Sequence, residues 1–141
     1  MPTRGVVLKC GALTEEIIGV FYDVYNELGY GFLESVYETS LALALEDAGL
    51  VVERQVAIPV WVRGQKVGEF RADLRVNGLV LLELKCIRVL EVAHDAQLLH
   101  YLKATVVEVG LLLNFGEKPQ FKRLVFDNAR RRIRVNPWPR L

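Results

Sequence analysis

Residues 70–85 read FRADLRVNGLVLLELK, and they contain two runs of alternating side chains separated by a turn signal. Alternation of apolar and polar residues is typical of a half-buried β-strand. The pair Asn77-Gly78 favours a tight hairpin turn, because both residues tolerate a positive φ. Even-numbered positions are apolar in both runs, among them Leu74 and Leu82. The sequence therefore predicts an antiparallel hairpin with one apolar face.

The apolar face also decides which charged residues of the hairpin lie together. A shift by one residue would move every side chain to the opposite face, so the match requires a loop with an odd number of residues. We expect a three-residue loop over 76–78, with Gly78 in the left-handed conformation. That register puts Asp73, Glu83 and Lys85 on one face, with Asp73 diagonal to Glu83 at about 7–8 Å between backbones.

Three other segments have apolar residues at helical spacing. The first is predicted to be capped by Thr14 and to end at Gly29, the second to end at Gly49, and the third to span 92–104. The residues predicted to face inward are Ile17, Phe21, Val24 and Leu28 in the first helix, Leu33, Val36, Tyr37, Leu41, Ala44, Leu45 and Ala48 in the second, and Val92, Ala96 and Leu99 in the third.

The remaining segments have the patterns of strands. One begins at Val52 and includes Pro59, which indicates an edge strand or a bulge. The nearly continuous apolar run over 106–115 predicts a central buried strand, and 121–126 predicts a last one. The order is α-α-β-β-β-α-β-β, which predicts the α/β class, with a mixed sheet flanked by helices.

The 141 residues suffice for one domain with a sizeable core. We predict a single domain over 1–127 and a basic tail over 128–141. The net charge of +1 conceals an acidic excess over 1–117 and a basic excess over 118–141. Cys10 and Cys86 are too few for a zinc or iron–sulfur site by themselves. Since the sequence shows neither a signal-peptide pattern nor a membrane-spanning run, we expect a cytoplasmic protein with no membrane partner.

Asp73, Glu83 and Lys85 form the candidate site. Two carboxylates about 4 Å apart repel each other by roughly 1 kcal/mol in water and by about 4 kcal/mol at an effective dielectric constant of 20. A divalent cation removes this repulsion, and a neighbouring ammonium reduces it. For these three residues alone, a weak salt bridge on a solvated sheet face is the simpler interpretation.

Features outside the hairpin favour a functional site. Glu34 is predicted on the inward face of the second helix, where a carboxylate without a partner is costly, so we expect a cation nearby. In the third helix, His94, Gln97 and Tyr101 form one polar stripe. This stripe either bonds to the backbone at the rim of the helix or belongs to the site.

Together these residues resemble the PD-(D/E)XK nuclease superfamily, with Asp73 as the first acid and Glu83-Leu84-Lys85 as E-x-K. Residues 97–101, QLLHY, match the Q-x-x-x-Y helix of the RecB-like branch, and residues 31–37, GFLESVY, fit the motif of the GxxExxY protein family. The resemblance implies a restriction-endonuclease-like αβββαβ core with an extra N-terminal helix. Ala72 precedes the acid where the superfamily motif has Pro, a departure that the superfamily tolerates.

The resemblance also implies a metal-dependent site. By resemblance, Asp73, Glu83 and the backbone carbonyl of Leu84 hold Mg²⁺ or Mn²⁺, and Glu34 completes the coordination directly or through water. Oxygen ligands with open water positions suit these ions.

Other residues receive implied roles around the metal. Lys85 is implied to orient the attacking water or to stabilise the phosphorus centre, and Gln97 and Tyr101 to position the lysine or a substrate phosphate. The sequence leaves open whether Tyr37 packs beneath Glu34 or touches the substrate.

The function implied by the resemblance is divalent-metal-dependent hydrolysis of phosphodiester bonds, with DNA the more expected substrate than RNA. Nucleic acid is then a partner, and we expect a homodimer or a protein partner as well. The alternative is a non-catalytic module on the same fold that binds nucleic acid or protein. A structural oligomer built on edge strands explains neither Glu34 nor the E-x-K residues.

Overall fold

The computed structural model describes residues 9–127 of the chain. The elements are, in chain order, α1 (Gly11–Leu28), α2 (Glu34–Asp47), β1 (Val52–Val62), β2 (Gln65–Val76), β3 (Val80–Lys85), α3 (Val92–Lys103), β4 (Val109–Phe115) and β5 (Pro119–Val125). The predicted order of helices and strands is confirmed, and the bounds differ by a few residues.

The strands form one mixed sheet in the order β1-β2-β3-β4-β5. β3 and β4 are parallel, and the other neighbouring pairs are antiparallel. A parallel pair needs a crossover connection, which α3 provides. β1 is an edge strand, as Pro59 indicated, and β4 is buried along its whole length. The predicted α/β class is confirmed.

Helices cover both faces of the sheet. α1 and α2 pack on one face through an apolar cluster that includes Phe21, Leu41 and Leu82. α3 packs on the other face through a second cluster that includes Leu98 and Leu112. Burial of apolar surface in these two layers is the main contribution to the stability of such a fold.

The β2–β3 hairpin has the predicted odd loop, but its register differs. Val76 pairs with Val80, so the loop spans 77–79 and not 76–78. Asn77 and Gly78 both have a positive φ, 52° and 67°, and the N–H of Leu79 donates to the carbonyl of Val76 at 2.9 Å. Leu79 is therefore an extra residue after a two-residue turn.

A long-range contact holds this loop. The N–H of Asn77 donates to the carbonyl of Val51, and the side-chain oxygen of Asn77 accepts the N–H of Val51, both at 2.8 Å. The last pair of the ladder is Leu74 with Leu82, so the same register places Asp73 directly opposite Glu83. The predicted diagonal offset is therefore wrong.

The regular alternation along β1 and β2 is interrupted beside Asp73. Gln55 in β1 has a φ of 51°, a left-handed conformation that breaks the pleat. Leu74 packs with α1 and α2, whereas Ala72 packs in the cluster of α3, and the ring of Phe70 also lies against α3. We expected every even position of β2 to share one face. This is wrong for Ala72 and Phe70, which precede Asp73 and face α3.

Several details of the helices also differ from the prediction. α1 begins at Gly11, so Thr14 lies inside the helix, where its hydroxyl donates to the carbonyl of Gly11 at 3.0 Å. Leu33 precedes α2 and is exposed. The buried residues of α3 are Leu98, Tyr101 and Leu102, whereas Val92 and Ala96 are exposed and Leu99 is half-buried. Leu98, which packs against Gly110 of β4, determines which side of α3 faces the sheet.

The basic tail predicted over 128–141 lies outside the described residues. The division into a domain over 1–127 and this tail stays a prediction, as does a cytoplasmic location. Within residues 9–127, no helix combines the length and apolar character needed to cross a membrane.

We expect Gly116→Ala to destabilise the fold more than Gly68→Ala. A Cβ atom at Gly116 would overlap the carbonyl oxygen of Ile87, whereas one at Gly68 would meet nothing within 4 Å. Overpacking against backbone typically costs ~1–3 kcal/mol. Urea unfolding followed by circular dichroism measures both variants. Equal urea midpoints for the two variants would contradict the close approach of Gly116 to the carbonyl of Ile87.

Candidate functional site

β2 and β3 part where Asp73 and Glu83 face each other. Their backbone pairing extends only to Leu74 and Leu82, and side chains replace it beyond that point. The Oδ2 atom of Asp73 accepts the N–H of Leu84 at 2.8 Å, and the Oε1 atom of Glu83 accepts the N–H of Asp73 at 3.4 Å. This exchange holds two carboxylates side by side in an opening of the sheet.

Burial raises the pKa of both acids. Glu83 is 6% exposed, and its pKa is raised to about 8, first by burial and then by the charge of Asp73. The pKa of Asp73 is raised mainly by burial, while the bond from the N–H of Leu84 and the charge of Lys85 lower it. A cation between the two acids would stabilise their charged forms and reverse these shifts.

The backbone of Leu84 faces the same opening. In a strand, the N–H and the C=O of one residue point to the same side. Since the N–H of Leu84 donates to Asp73, its carbonyl oxygen is directed toward β2 as well. A carbonyl and two carboxylates are therefore directed toward one place.

Lys85 connects this opening to α3. Its ammonium donates to the Oε1 atom of Gln97 at 3.3 Å, and the Nε2 atom of Gln97 donates to the hydroxyl of Tyr101 at 3.1 Å. The pKa of Tyr101 is raised to about 12 by burial and then by the charge of Glu83, so its hydroxyl keeps its proton at neutral pH. The structure brings these three predicted residues together beside the acids.

Glu34 is exposed, so its predicted burial on the inward face of the second helix is wrong. Because α2 begins at Glu34, this side chain lies at the end of the helix and not within its packed face. Glu34 still lies near the site. Its pKa is raised by partial burial and by the charge of Asp73, and lowered by Lys85 and by a hydrogen bond from the N–H of Cys86.

Two further residues near the acids were not predicted from the sequence. Glu38 is buried one turn after Glu34, and it accepts hydrogen bonds from Arg54 at 3.1 Å and from the amide of Gln55 at 2.7 Å. Gln55 also hydrogen-bonds to Asp73, so it lies between the two carboxylates. The i, i+4 spacing from Glu34 was a signal for Glu38, whereas the left-handed Gln55 had none.

Two residues whose roles the sequence left open are structural. Tyr37 is fully buried, and its hydroxyl donates to the carbonyl of Gly29 at 2.6 Å and accepts the N–H of Phe32 at 3.3 Å. The Nδ1 atom of His94 accepts the N–H of Glu91 at 2.9 Å in a capping box at the start of α3.

The donor set in the opening consists of oxygen atoms, which suits a hard divalent cation such as Mg²⁺. Among residues 9–127, no group of three or more His, Cys, Asp or Glu side chains is arranged to hold a metal ion. The fit therefore rests on Asp73, Glu83 and the carbonyl of Leu84, with water in the remaining positions. A buried acid beside a half-buried one, both with raised pKa values, is compatible with such an ion.

Comparison with known proteins gives a family and a fold. A family model described as the PD-(D/E)XK nuclease superfamily matches residues 11–124, a span that contains all the site residues above. No curated protein matches the chain. The crystal structure of SSO0001 is similar, with a TM-score of 0.51 at 20% identity, and the match covers 84% of this chain and 61% of that chain. That likeness concerns the fold alone. The family match and the five-stranded mixed sheet flanked by helices confirm the predicted restriction-endonuclease-like core.

Without metal, the free energy of unfolding should fall as the pH rises from about 5 to about 8. Folded Glu83 keeps its proton up to a pKa of about 8, whereas the unfolded chain releases it near ~4.3. The folded state binds more protons in this window, so its stability decreases with pH. Urea unfolding in EDTA at a series of pH values measures this slope.

Glu83→Gln should reduce the slope, whereas Glu46→Gln, at an exposed position of α2, should leave it unchanged. A slope of wild-type size in Glu83→Gln would assign the proton uptake to other groups.

Proposed function

Because the chain belongs to the PD-(D/E)XK nuclease superfamily, we propose that it is a divalent-metal-dependent nuclease that hydrolyses phosphodiester bonds, in DNA rather than RNA. The observation that carries this proposal is the pair of facing acids, Asp73 and Glu83, beside the backbone of Leu84 and the ammonium of Lys85. We assign the chain to the GxxExxY family and to the RecB-like branch within the superfamily, on the motifs at 31–37 and 97–101.

Asp73, Glu83 and the carbonyl of Leu84 would hold the metal, Mg²⁺ or Mn²⁺. The bound ion supplies a water of lowered pKa and neutralises charge on the phosphate. Glu34, at the rim, would complete the coordination through water, because its side chain is exposed and already accepts the N–H of Cys86.

Lys85 holds a positive charge where negative charge develops on the phosphate. Gln97 fixes the ammonium by accepting its hydrogen bond, and the buried Tyr101 fixes Gln97. Lys85 therefore touches the reacting groups, whereas Gln97 and Tyr101 act as positioning residues.

Gln55 and Glu38 support the metal ligands from the other side. Gln55 hydrogen-bonds to Asp73, and Glu38 accepts from Gln55 and from Arg54. Hydrogen bonds from neighbouring side chains orient the carboxylates that bind a metal.

Nucleic acid is the proposed partner. The chain spans about three fifths of SSO0001, at 61% of that chain, so nothing about that protein's activity transfers directly. We propose a homodimer or a protein partner, because the described domain offers few residues to grip a long duplex. The basic residues over 128–141 would add contacts with phosphates.

Mg²⁺ or Mn²⁺ should raise the melting temperature of the wild-type protein. An ion that binds only the folded state at about 100 times its Kd adds about 2.7 kcal/mol. Asp73→Asn should abolish the shift, and Asp47→Asn, an exposed change at the end of α2, should retain it. The same shift in all three proteins would contradict the assigned metal ligands.

Mn²⁺-dependent cleavage of labelled single-stranded, duplex and branched DNA and of RNA tests the activity. Lys85→Ala should lower the rate by about 10²-fold or more, because it removes a charge directed at the transition state. Lys103→Ala is the matched control, because its ammonium lies over the ring of Phe126 at 5.9 Å from the ring centroid.

Cleavage at the wild-type rate by Lys85→Ala would indicate a contaminating nuclease or a different site. If the protein binds metal and nucleic acid but cleaves no substrate, the alternative holds, namely a non-catalytic binding module on the same fold.

A further inference from the structure

A pocket of about 620 Å³ lies beside residues 86–88, directly after β3. Its lining includes Tyr30 and Phe32 from the loop before α2, Arg88 after β3, and Gly116 and Glu117 after β4. Its volume falls within the ~300–1,000 Å³ typical of small-molecule sites. The proposed function assigns no role to this pocket.

The pocket and the metal site share a wall. Cys86 lines the pocket, follows Lys85 directly in the chain, and donates its N–H to the carboxylate of Glu34. Glu34 in turn comes two residues after Phe32. A ligand in the pocket would therefore lie beside Cys86, which links the pocket to Glu34 and is the chain neighbour of Lys85.

The aromatic wall is held in place by Tyr37. Its hydroxyl bonds to both Gly29 and Phe32, and its ring packs edge-on against the ring of Phe32 at 6.0 Å. The ring of Tyr37 also stacks on Phe115, another lining residue, at 4.3 Å. The loop that carries Phe32 is thus fixed before any ligand binds.

The other walls consist of backbone that approaches closely. Asn114 donates to the carbonyl of Ile87 at 2.8 Å, and Gly116 leaves no space for a Cβ beside that carbonyl. The hydroxyl of Tyr25 donates to the carbonyl of Gly116 at 2.8 Å. These contacts make a pocket of fixed shape.

The chemistry of the lining suits a flat, uncharged ligand. Tyr30 is 59% exposed and Phe32 is 47% exposed, so two aromatic rings are available for stacking. Arg88 and Glu117 contribute one positive and one negative charge to the lining, which suits a group with donor and acceptor edges better than a phosphate. A nucleobase has such edges, and stacking on aromatic rings accepts any base.

We propose that this pocket binds one unpaired nucleobase of a single-stranded substrate, next to the phosphate that is hydrolysed. The proposal rests on the proposed function and names its substrate class. In a duplex the bases are paired and stacked inside, so a base reaches the pocket only in a single strand, a flap or a loop. The pocket therefore selects strands with unpaired bases.

Fluorescence anisotropy in EDTA at low salt tests this proposal without catalysis. The probes are labelled oligodeoxythymidylate and an abasic strand of the same length and charge. The wild-type chain should bind the thymine strand about 5- to 100-fold more tightly than the abasic strand, as expected for stacking of one base.

Phe32→Leu and Tyr30→Leu should each bring this ratio toward 1, because leucine retains an apolar side chain and removes the stacking face. Phe121→Leu is the matched control, since Phe121 is 40% exposed on β5 and does not line the pocket. Tyr30 is the second variant because its exposed ring contributes little to folding. Phe121→Leu should keep the wild-type ratio.

Equal affinity of the wild type for the two strands, or no binding of either, would overturn the pocket assignment. A wild-type ratio in both Phe32→Leu and Tyr30→Leu would do the same. The nuclease proposal fails on a different result. If the wild type prefers the thymine strand but cleaves no substrate with Mn²⁺, hydrolysis is refuted and the assignment of the pocket to a nucleobase stands.

Discussion

The site depends on the exchange of hydrogen bonds between Asp73, Glu83 and the backbone of Leu84. Where two antiparallel strands part, the N–H groups that would have continued the ladder need other acceptors, because an unpaired buried N–H is costly. The two carboxylates accept them, at 2.8 Å for the N–H of Leu84 and 3.4 Å for that of Asp73. The acids are thus positioned by the sheet itself, and strand geometry then directs the carbonyl of Leu84 to the same opening.

This arrangement has an electrostatic cost in the absence of a cation. Burial and the neighbouring charge of Asp73 raise the pKa of Glu83 to about 8, and Lys85 compensates only in part because its ammonium also donates to Gln97. Apolar residues of similar size would be more stable there in the metal-free protein. A buried acid whose pKa is raised by a neighbouring acid is typical of sites adapted to bind charge, and none of the salt bridges within residues 9–127 includes Glu83.

Local patterns in the sequence predicted the class of fold, the element order and the odd hairpin loop, because these follow from alternation and from turn residues. The exact register was not predictable, since the bonds between Asn77 and Val51 join distant parts of the chain. The exchange of faces beside Asp73 follows from the left-handed Gln55, a residue type with no special tendency to adopt that conformation. Glu34 was placed inward because it shares a helical face with Tyr37, Leu41 and Leu45, but it is the first residue of α2 and lies at the end of that face.

The contacts of Gly31, Glu34 and Tyr37 give a physical explanation of the motif over 31–37. Gly31 has a φ of 111°, which allows the chain to turn into α2, and Glu34 is the first residue of that helix. Tyr37 lies one turn further, where its hydroxyl reaches back to the loop at Phe32 and its ring stacks on the end of β4 at Phe115. One short segment therefore forms the wall between the pocket and the carboxylates. A substitution at Tyr37 would therefore loosen the pocket wall and displace Glu34 together.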